Sequence, residues 1–329
     1  MTTPEQNPYG YPPQQPPGQP PHGGSPEGPP PQGPYGQNPY QQGPYPPQFP
    51  QPEPPQKKTQ PDADPGRFTW WDLGATLFYV GGFLTGAVSL LMFLPGLSDL
   101  MRSGQEDDLL LGSFLVNAIS YGVLGLIALV LSAGALVRAW KAFAYLWWLK
   151  LLLIPVIWLG IIILNAVLVF LITDEPQTSQ NQEDIVSMLG VVPFLAAFVV
   201  IALLGPYVEE FFFRHLMIGK LSRHLNIWIC AAISVVSFPL LHFLPALFGL
   251  SDDLNIVTLL PYVTMGVAFT LAYILTGRSL LYVWLLHAFN NFMSLVVTYY
   301  VLPWAEDMEE RLDQLEQAGQ ILRLLLAGA

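Results

Sequence analysis

The chain has 329 residues, of which 52% are hydrophobic and only 11% charged, and its net charge at pH 7 is −11. About a quarter of the residues are charged in an ordinary soluble domain. The composition therefore predicts an all-helical membrane protein with several spans. The acidic balance argues against nucleic acid as a partner, because nucleic-acid binding requires a basic face. Cys230 is the only cysteine, which excludes an intramolecular disulfide and a metal site built from cysteines.

Residues 1–65 differ in composition from the rest of the chain. They contain 23 of its 32 prolines, mixed with Gln, Gly and Tyr. Such a segment cannot bury enough apolar surface to offset its ordering entropy, which predicts a disordered low-complexity tail. A spacer and a docking segment for a protein partner are both compatible with this composition.

Seven apolar runs follow, each long enough to cross a lipid bilayer as a helix of about 20 residues. The runs cover roughly residues 73–97, 109–137, 149–172, 188–216, 226–247, 257–275 and 279–301, within a predicted transmembrane domain of residues 66–304. Lys and Arg number eight in the tail and alternate loops, against one in the other loops. The positive-inside rule therefore predicts a cytoplasmic N-terminus. The tail composition and the single cysteine favour a bacterial cell membrane.

The C-terminal residues 305–329 carry apolar side chains at helical spacing on one face and acidic side chains on the opposite face. This pattern predicts a short amphipathic helix. Helices that lie on lipid are usually basic, so packing on protein is as compatible with the pattern as packing on the membrane.

Two adjacent glutamates, Glu209 and Glu210, lie in the fourth apolar run. A carboxylate in the middle of a bilayer costs about 2.5–3.5 kcal/mol on insertion scales, so intramembrane acids are rare and usually functional. Arg214 shares a helical face with Glu210, and the pair lowers the cost of both charges. Glu209 projects about 100° away and has no partner on its own helix, which is typical of a general base. A polar seam or an interhelical salt bridge is the structural alternative.

His242 lies in the fifth run, one helical turn after Phe238. Pro239 between them is expected to interrupt the span and to free a backbone carbonyl. A lone histidine in an apolar helix is more often an interhelical hydrogen-bonding residue than a catalytic one. By this count of residues, His242 would lie farther across the membrane than Glu209.

The last apolar run places His287 and Asn291 on one helical face, four residues apart, whereas Asn290 is expected to point elsewhere. A histidine and an amide that project together into a bundle fit a pair of donors for a developing oxyanion. A pair of interhelical hydrogen bonds is the alternative.

Together the three motifs read Glu-Glu-x-x-x-Arg, Phe-x-x-x-His and His-x-x-x-Asn, in this order and each in an apolar run. The combination resembles the CPBP family, which comprises the CAAX prenyl endopeptidases of the Ras-converting type and their bacterial Abi relatives. All three motifs match without substitution. The resemblance covers a protease-like core at about residues 185–301.

This resemblance implies an intramembrane endopeptidase that cleaves a membrane-associated protein or peptide, of CAAX or bacteriocin type. Glu209 would activate the attacking water, and His242 would help to position it. His287 and Asn291 would stabilise the oxyanion of the tetrahedral intermediate. The supporting residues would be Glu210, Arg214 and Phe238.

The resemblance leaves the cofactor open. A mechanism in which glutamate and histidine act without a metal is favoured, and a divalent metal such as zinc is the alternative. The ligands would then be Glu209, His242 and His287, which come from three separate runs, and the chain has no His-Glu-x-x-His helix.

Two other functions compete with the protease. A non-catalytic immunity or scaffold protein is one, although altered motifs would favour it and every motif position here is filled. A proton-coupled transporter, in which buried Glu and His relay protons, is the other. Transporters often show an inverted repeat, and the chain has no convincing internal repeat.

Overall fold

The computed structural model describes residues 60–173, 178–249, 255–305, 307–308 and 310–312. All regular structure in these ranges is helical, which confirms the predicted all-helical membrane fold. Most of the predicted tail and most of the predicted C-terminal amphipathic helix lie outside the described residues.

The helices of the first half begin after an extended segment. They are α1 (Trp70–Leu84), a 3-10 segment (Ala87–Phe93), α2 (Leu97–Arg102), α3 (Glu106–Ala144), α4 (Trp147–Ile172) and α5 (Gln180–Leu189). The second half contains α6 (Phe194–Arg223), α7 (Ile227–His242), α8 (Leu244–Leu247), α9 (Ile256–Leu275) and α10 (Leu280–Val296). Helical backbone continues beyond α10 through Val297–Val301 and up to residue 305.

Five of these helices are long and apolar enough to cross a membrane, namely α3, α4, α6, α9 and α10 with its extension. The first predicted span, 73–97, is instead a pair of helices bent by 69°. Gly86 lies at this break with φ 68°, a conformation that glycine adopts without strain. The fifth predicted span, 226–247, corresponds to α7, which has only 16 residues. Whether these two cross the membrane stays a prediction.

Helix α6, which carries the glutamate pair, is not a uniform α-helix. Wider π-helical turns, Phe198–Leu204 and Phe211–Lys220, flank the α-helical segment Gly205–Glu210. The N–H of Gly205 donates to the carbonyl of Val200, five residues back. Pro206 has no N–H with which to continue this pattern. π-Helical geometry within an α-helix occurs frequently at functional sites.

Aromatic packing holds α1 and α7 against the glutamate segment of α6. Tyr79 stacks on Phe212 with ring centroids 4.2 Å apart. Phe238 meets Phe213 edge to face at 5.3 Å. Each such pair stabilises the fold by about 0.5–1.5 kcal/mol beyond its buried area. The core of the bundle therefore lies directly around the charged residues.

One end of the bundle is rich in arginine and is tied together by residues 60–69, which we call the N-terminal connector. Asp62 forms an ion pair with Arg278 at 2.8 Å, and Asp64 forms one with Arg223 at 2.5 Å. Both aspartates are half exposed, at 53% of the side-chain surface. The connector thus bridges two loops that are far apart in the sequence.

Backbone contacts add to these ion pairs. The N–H of Ala63 donates to the carbonyl of Gly277 at 2.8 Å, and Arg138 Nε donates to the carbonyl of Asp64 at 2.8 Å. Composition places residues 60–65 in the tail, yet here they pack on the bundle, with Ala63 only 2% exposed. The arginines involved belong to loops predicted on one side of the membrane, and they do lie at one end of the bundle. Which compartment this end faces stays a prediction.

A buried ion pair joins α1 to the end of α6. Lys220 Nζ lies 2.7 Å from Asp72 Oδ1, and both side chains are nearly inaccessible. The other oxygen of Asp72 accepts from the N–H and the hydroxyl of Thr69, which caps the start of α1. Lys220 is one of the eight Lys and Arg residues predicted to lie in the tail and alternate loops, and its placement in a loop is therefore wrong. Helix α6 extends seven residues beyond the predicted end of the span, because its polar residue finds a buried partner.

Candidate active site

A cavity of about 790 Å³ opens among α3, α5, α6, α7, α9 and α10. All four side chains predicted to be catalytic line it, namely Glu209, His242, His287 and Asn291. They come from three helices and are up to 82 positions apart in the sequence. Tertiary packing thus gathers the three motifs on a single void within the bundle.

Glu209 is 6% exposed and directs both carboxylate oxygens to other helices. Its Oε1 accepts a hydrogen bond of 3.4 Å from the hydroxyl of Tyr121 in α3. Its Oε2 lies 3.7 Å from Nε2 of His287 in α10. Glu209 therefore faces the cavity between a neutral donor and an imidazole.

Glu210 is fully buried and connects α6 to α10. Its Oε1 lies 2.8 Å from Nδ1 of His287 and 3.1 Å from Nη1 of Arg214. An ionised carboxylate only accepts hydrogen bonds, so Nδ1 of His287 carries a proton in this contact. The predicted pairing of Glu210 with Arg214 is present, and Glu210 has a second contact that was not predicted. It also fixes the imidazole so that the second nitrogen is turned towards Glu209.

Arg214 is completely buried, and aromatic rings surround its guanidinium. Its central carbon lies 4.5 Å from the ring centroid of Phe238 and 5.6 Å from that of Phe269. Such cation–π contacts are worth about 2 kcal/mol when they are desolvated. The ring of Phe238 also lies 5.1 Å from His242 and 6.1 Å from His287. Phe238 is therefore the packing surface that both histidines share.

His242 reaches the cavity because α7 ends there. The helix runs through Pro239, contrary to the predicted interruption, and stops when Phe243 leaves the helical conformation (φ −110°, ψ 22°). His242 lies 4.6 Å from the ring of Tyr262. Its Nε2 is buried and has no hydrogen-bond partner within the described part of the chain. The sequence predicts that His242 lies farther across the membrane than Glu209, yet both side chains line the same cavity.

Asn291 is tied to the irregular turn of α6. Its Nδ2 donates to the carbonyl of Ile201 at 3.0 Å, and this carbonyl lies five residues before Pro206. Since the π-helical pattern pairs residues five apart, the missing N–H of Pro206 leaves this carbonyl without its expected donor. Asn291 supplies the replacement with one of its two N–H groups. The second N–H is left for another acceptor.

The prediction that Asn290 points away from the site is wrong. Its side chain lines the same cavity, and its Nδ2 donates to Oδ1 of Asn291 at 3.2 Å. The same Nδ2 also contacts the sulfur of Met265 at 3.4 Å. The side chains of neighbouring helix residues point in directions about 100° apart. The cavity is wide enough for both Asn290 and Asn291 to line it.

Two tyrosines on the cavity were missed by the sequence reasoning. Tyr262 in α9 binds the start of α5 through its hydroxyl, which lies 2.9 Å from Ser179 Oγ and 3.0 Å from Asn181 Nδ2. These contacts hold α5 beside the cavity. The other tyrosine is Tyr121, the partner of Glu209.

A signal for Tyr121 is present in the sequence of α3. Ser113, Asn117 and Tyr121 recur at four-residue spacing in an otherwise apolar helix, and all three line the cavity. Spacing of four places side chains on one helical face. A polar stripe of this kind in a membrane span indicates a site or an interhelical seam.

The predicted metal ligands do not form a metal site in this arrangement. No group of three or more His, Cys, Asp or Glu side chains in the described residues lies in a position to hold a metal ion. Nδ1 of His287 is already bonded to Glu210, and His242 reaches the cavity from a different helix end. The metal-free mechanism remains a prediction.

Comparison with known proteins bears on the centre of the chain. Residues 191–293 match the family described as Rce1-like, type II CAAX prenyl endopeptidase. No curated protein and no solved structure shows a significant match. The apolar helices and this match make the chain an integral, multi-pass membrane protein. The resemblance to the CPBP family is therefore confirmed over residues 191–293, the segment that matches the Rce1-like family model.

Proposed function

We propose that the protein is an intramembrane endopeptidase that hydrolyses a peptide bond of a membrane-associated protein or peptide, with Glu209 as general base. The convergence of all three motifs on one cavity carries this proposal. Peptide hydrolysis requires a base for water and donors for a developing oxyanion. The cavity offers both.

In the first step, a water molecule in the cavity transfers a proton to Glu209, and its oxygen attacks the carbonyl carbon of the scissile bond. Nε2 of His242, which has no partner in the described residues, accepts a hydrogen bond from this water and orients it. A buried acceptor without a partner favours such a contact, because leaving it unpaired costs about 1–3 kcal/mol.

In the second step, donors stabilise the negative charge on the former carbonyl oxygen. His287 is one donor, from Nε2, and Glu210 holds the ring in place through the 2.8 Å contact with Nδ1. The second N–H of Asn291 is the other donor. Loss of one oxyanion donor typically lowers kcat by about 10²–10³-fold.

In the third step, the proton held by Glu209 moves to the nitrogen of the scissile bond, and the carbon–nitrogen bond breaks. The products are a carboxyl group and an amine, and Glu209 returns to its ionised form. The Tyr121 hydroxyl, which donates to Oε1, holds the carboxylate in place.

The family description indicates the substrate class to test first. It names CAAX prenyl endopeptidases, which act on a C-terminal Cys-a-a-X sequence whose cysteine carries a prenyl chain. The cavity combines polar residues near α5 with apolar ones such as Phe114, Met188 and Leu295. This mixture suits a peptide with a lipid attached. A bacteriocin-type precursor is the alternative substrate.

The decisive experiment compares new protein N-termini in membranes of cells that express the wild type or Glu209→Gln. We expect termini that appear only with the wild type, because the amide removes the base but keeps the shape of the side chain. Glu183→Gln is the matched control, since this glutamate is exposed on α5 and does not line the cavity.

Equal abundance of all three forms in the membrane makes the comparison valid. Identical N-termini for the wild type and Glu209→Gln would contradict the proposal and would turn attention to a scaffold or a transporter. Loss of the termini in Glu183→Gln as well would show that the effect is not specific to the cavity.

A further inference from the structure

We infer that Tyr121 is a positioning residue for Glu209, supplied by a helix outside the protease-like segment. Tyr121 lies in α3, which precedes the matched residues 191–293 by a long stretch of chain. Its hydroxyl donates to Oε1 of Glu209 at 3.4 Å. The inference rests on the proposed role of Glu209 as the base.

The geometry assigns the two oxygens of Glu209 to two different helices. Oε1 is held by Tyr121 of α3, whereas Oε2 lies 3.7 Å from His287 of α10. A carboxylate on a flexible stem that is held at one oxygen keeps the other oxygen turned in a fixed direction. Tyr121 therefore directs Oε2 towards His287 and the cavity, where the attacking water must lie.

The hydroxyl of a tyrosine suits this task because it is a neutral donor. A lysine or arginine at the same distance would hold the carboxylate too, but its charge would weaken the carboxylate as a base. The distance of 3.4 Å is long for a hydrogen bond between oxygens, whose usual length is about 2.7–2.8 Å. Catalytic hydrogen bonds are often long without substrate and shorten when it binds.

The backbone around the tyrosine supports this position. The ring of Tyr121 lies beside Gly205, which is one helical turn before Glu209 on the same face of α6. A methyl group on Gly205 would lie 3.9 Å from the ring, at ordinary contact distance. The ring thus packs on the turn that carries the base, and its hydroxyl extends to the carboxylate.

A second tyrosine between the same two helices provides a matched control. The hydroxyl of Tyr207 in α6 lies 2.7 Å from Ser132 Oγ in α3, and Tyr207 does not line the cavity. Tyr121→Phe and Tyr207→Phe each remove one hydroxyl from a contact between α3 and α6. Only the first touches Glu209.

The first test is kinetic, with purified full-length enzyme in detergent and an internally quenched peptide that contains a cleavage site identified from the new N-termini. We expect Tyr121→Phe to lower kcat about 10–150-fold, as for the loss of one hydrogen bond to a charged group, with KM changed less than about twofold. Tyr207→Phe should leave both constants within about twofold. A change in KM alone, or equal losses in both variants, would overturn the inference.

The second test does not need activity. The infrared carboxylate band of Glu209 is identified by subtracting the spectrum of Glu209→Gln from that of the wild type. Tyr121→Phe should shift this band, and Tyr207→Phe should leave it in place. An unmoved band in Tyr121→Phe would overturn the inference even if the proposed protease activity were absent. A shifted band without any cleavage would instead count against the proposed function alone.

Discussion

Charged residues hold this protein together in two regions that obey different rules. At the arginine-rich end, Asp62 and Asp64 pair with Arg278 and Arg223 while more than half exposed. In the bundle, the fully buried Glu210 pairs with Arg214, which is also fully buried, and with His287, whose side chain is only 5% exposed. Exposed ion pairs contribute about 0–1 kcal/mol each.

The buried cluster is in a different energetic situation. Its charges were removed from water at a cost of several kcal/mol, and the cluster compensates only while every partner is present. An ion pair at the surface therefore contributes little to stability, whereas removal of one partner from the buried cluster is strongly destabilising. His287 is therefore held rigidly, because Glu210 is fully buried and cannot replace this contact with a hydrogen bond to bulk water.

The largest expected effect comes from breaking the buried pair. Arg214→Gln leaves Glu210 buried with His287 as its only ion-pair partner in the described residues, which should lower the free energy of unfolding by about 3–5 kcal/mol. Arg223→Gln is the matched change in the exposed pair and should cost less than about 1 kcal/mol. Thermal unfolding in detergent measures both. Equal effects would break the distinction between the two regions.

An intermediate effect should come from removing residues 60–66 of the N-terminal connector. Deletion of residues 1–66 eliminates two exposed ion pairs, the Ala63 to Gly277 bond and the buried Ala63 side chain. Together these contacts predict a loss of about 1–3 kcal/mol. Deletion of residues 1–59 leaves the connector intact and should cost less than about 0.5 kcal/mol. The difference between the unfolding midpoints of the two deletion variants measures the contribution of the connector. Equal lowering of the midpoint by both deletions would contradict this prediction.

The smallest expected effect is a dependence on pH at the exposed end. The hydrogen bond from Arg223 and, next, that from the N–H of Gly66 lower the pKa of the Asp64 carboxyl below its ordinary value of 3.8. Because the pKa is lower in the folded state, the contribution of Asp64 is present above about pH 4 and is lost as the pH falls through the folded value. It amounts to at most about 1 kcal/mol, because the group is exposed.

The measurement is the difference in unfolding midpoint between the wild type and Asp64→Asn at several pH values. We expect the wild type to exceed the variant slightly at pH 6 and to lose this advantage towards pH 2–3. A difference that grows as the pH falls would have the wrong sign for a carboxyl with a lowered pKa.

Much of the site could be predicted from local sequence because a buried charge is costly in any membrane fold. Glu209, Glu210 and Arg214 were recognisable as a unit from a spacing of four in an apolar run. His287 and Asn291 were recognisable in the same way. These predictions needed only the period of a helix and the cost of burying polar groups.

Other features depend on contacts between distant residues. The hydrogen bond from Asn291 to the carbonyl of Ile201 joins residues 90 positions apart, and the contact of Tyr121 with Glu209 joins residues 88 positions apart. Lys220 was misplaced for a similar reason, because its buried partner Asp72 precedes it by 148 positions. Periodicity along one helix carries no information about such partners.

The sequence by itself determined that this is a helical membrane protein, which residues carry charge into it, and which family its central segment resembles. Helical period and hydrophobicity are local properties, so the sequence displays them directly. Only the tertiary structure decided that His242 shares a cavity with Glu209, that Glu210 orients His287, and that α3 supplies a donor to the base. These features arise from the packing of whole helices, because this packing sets the distances between side chains that are far apart in the sequence.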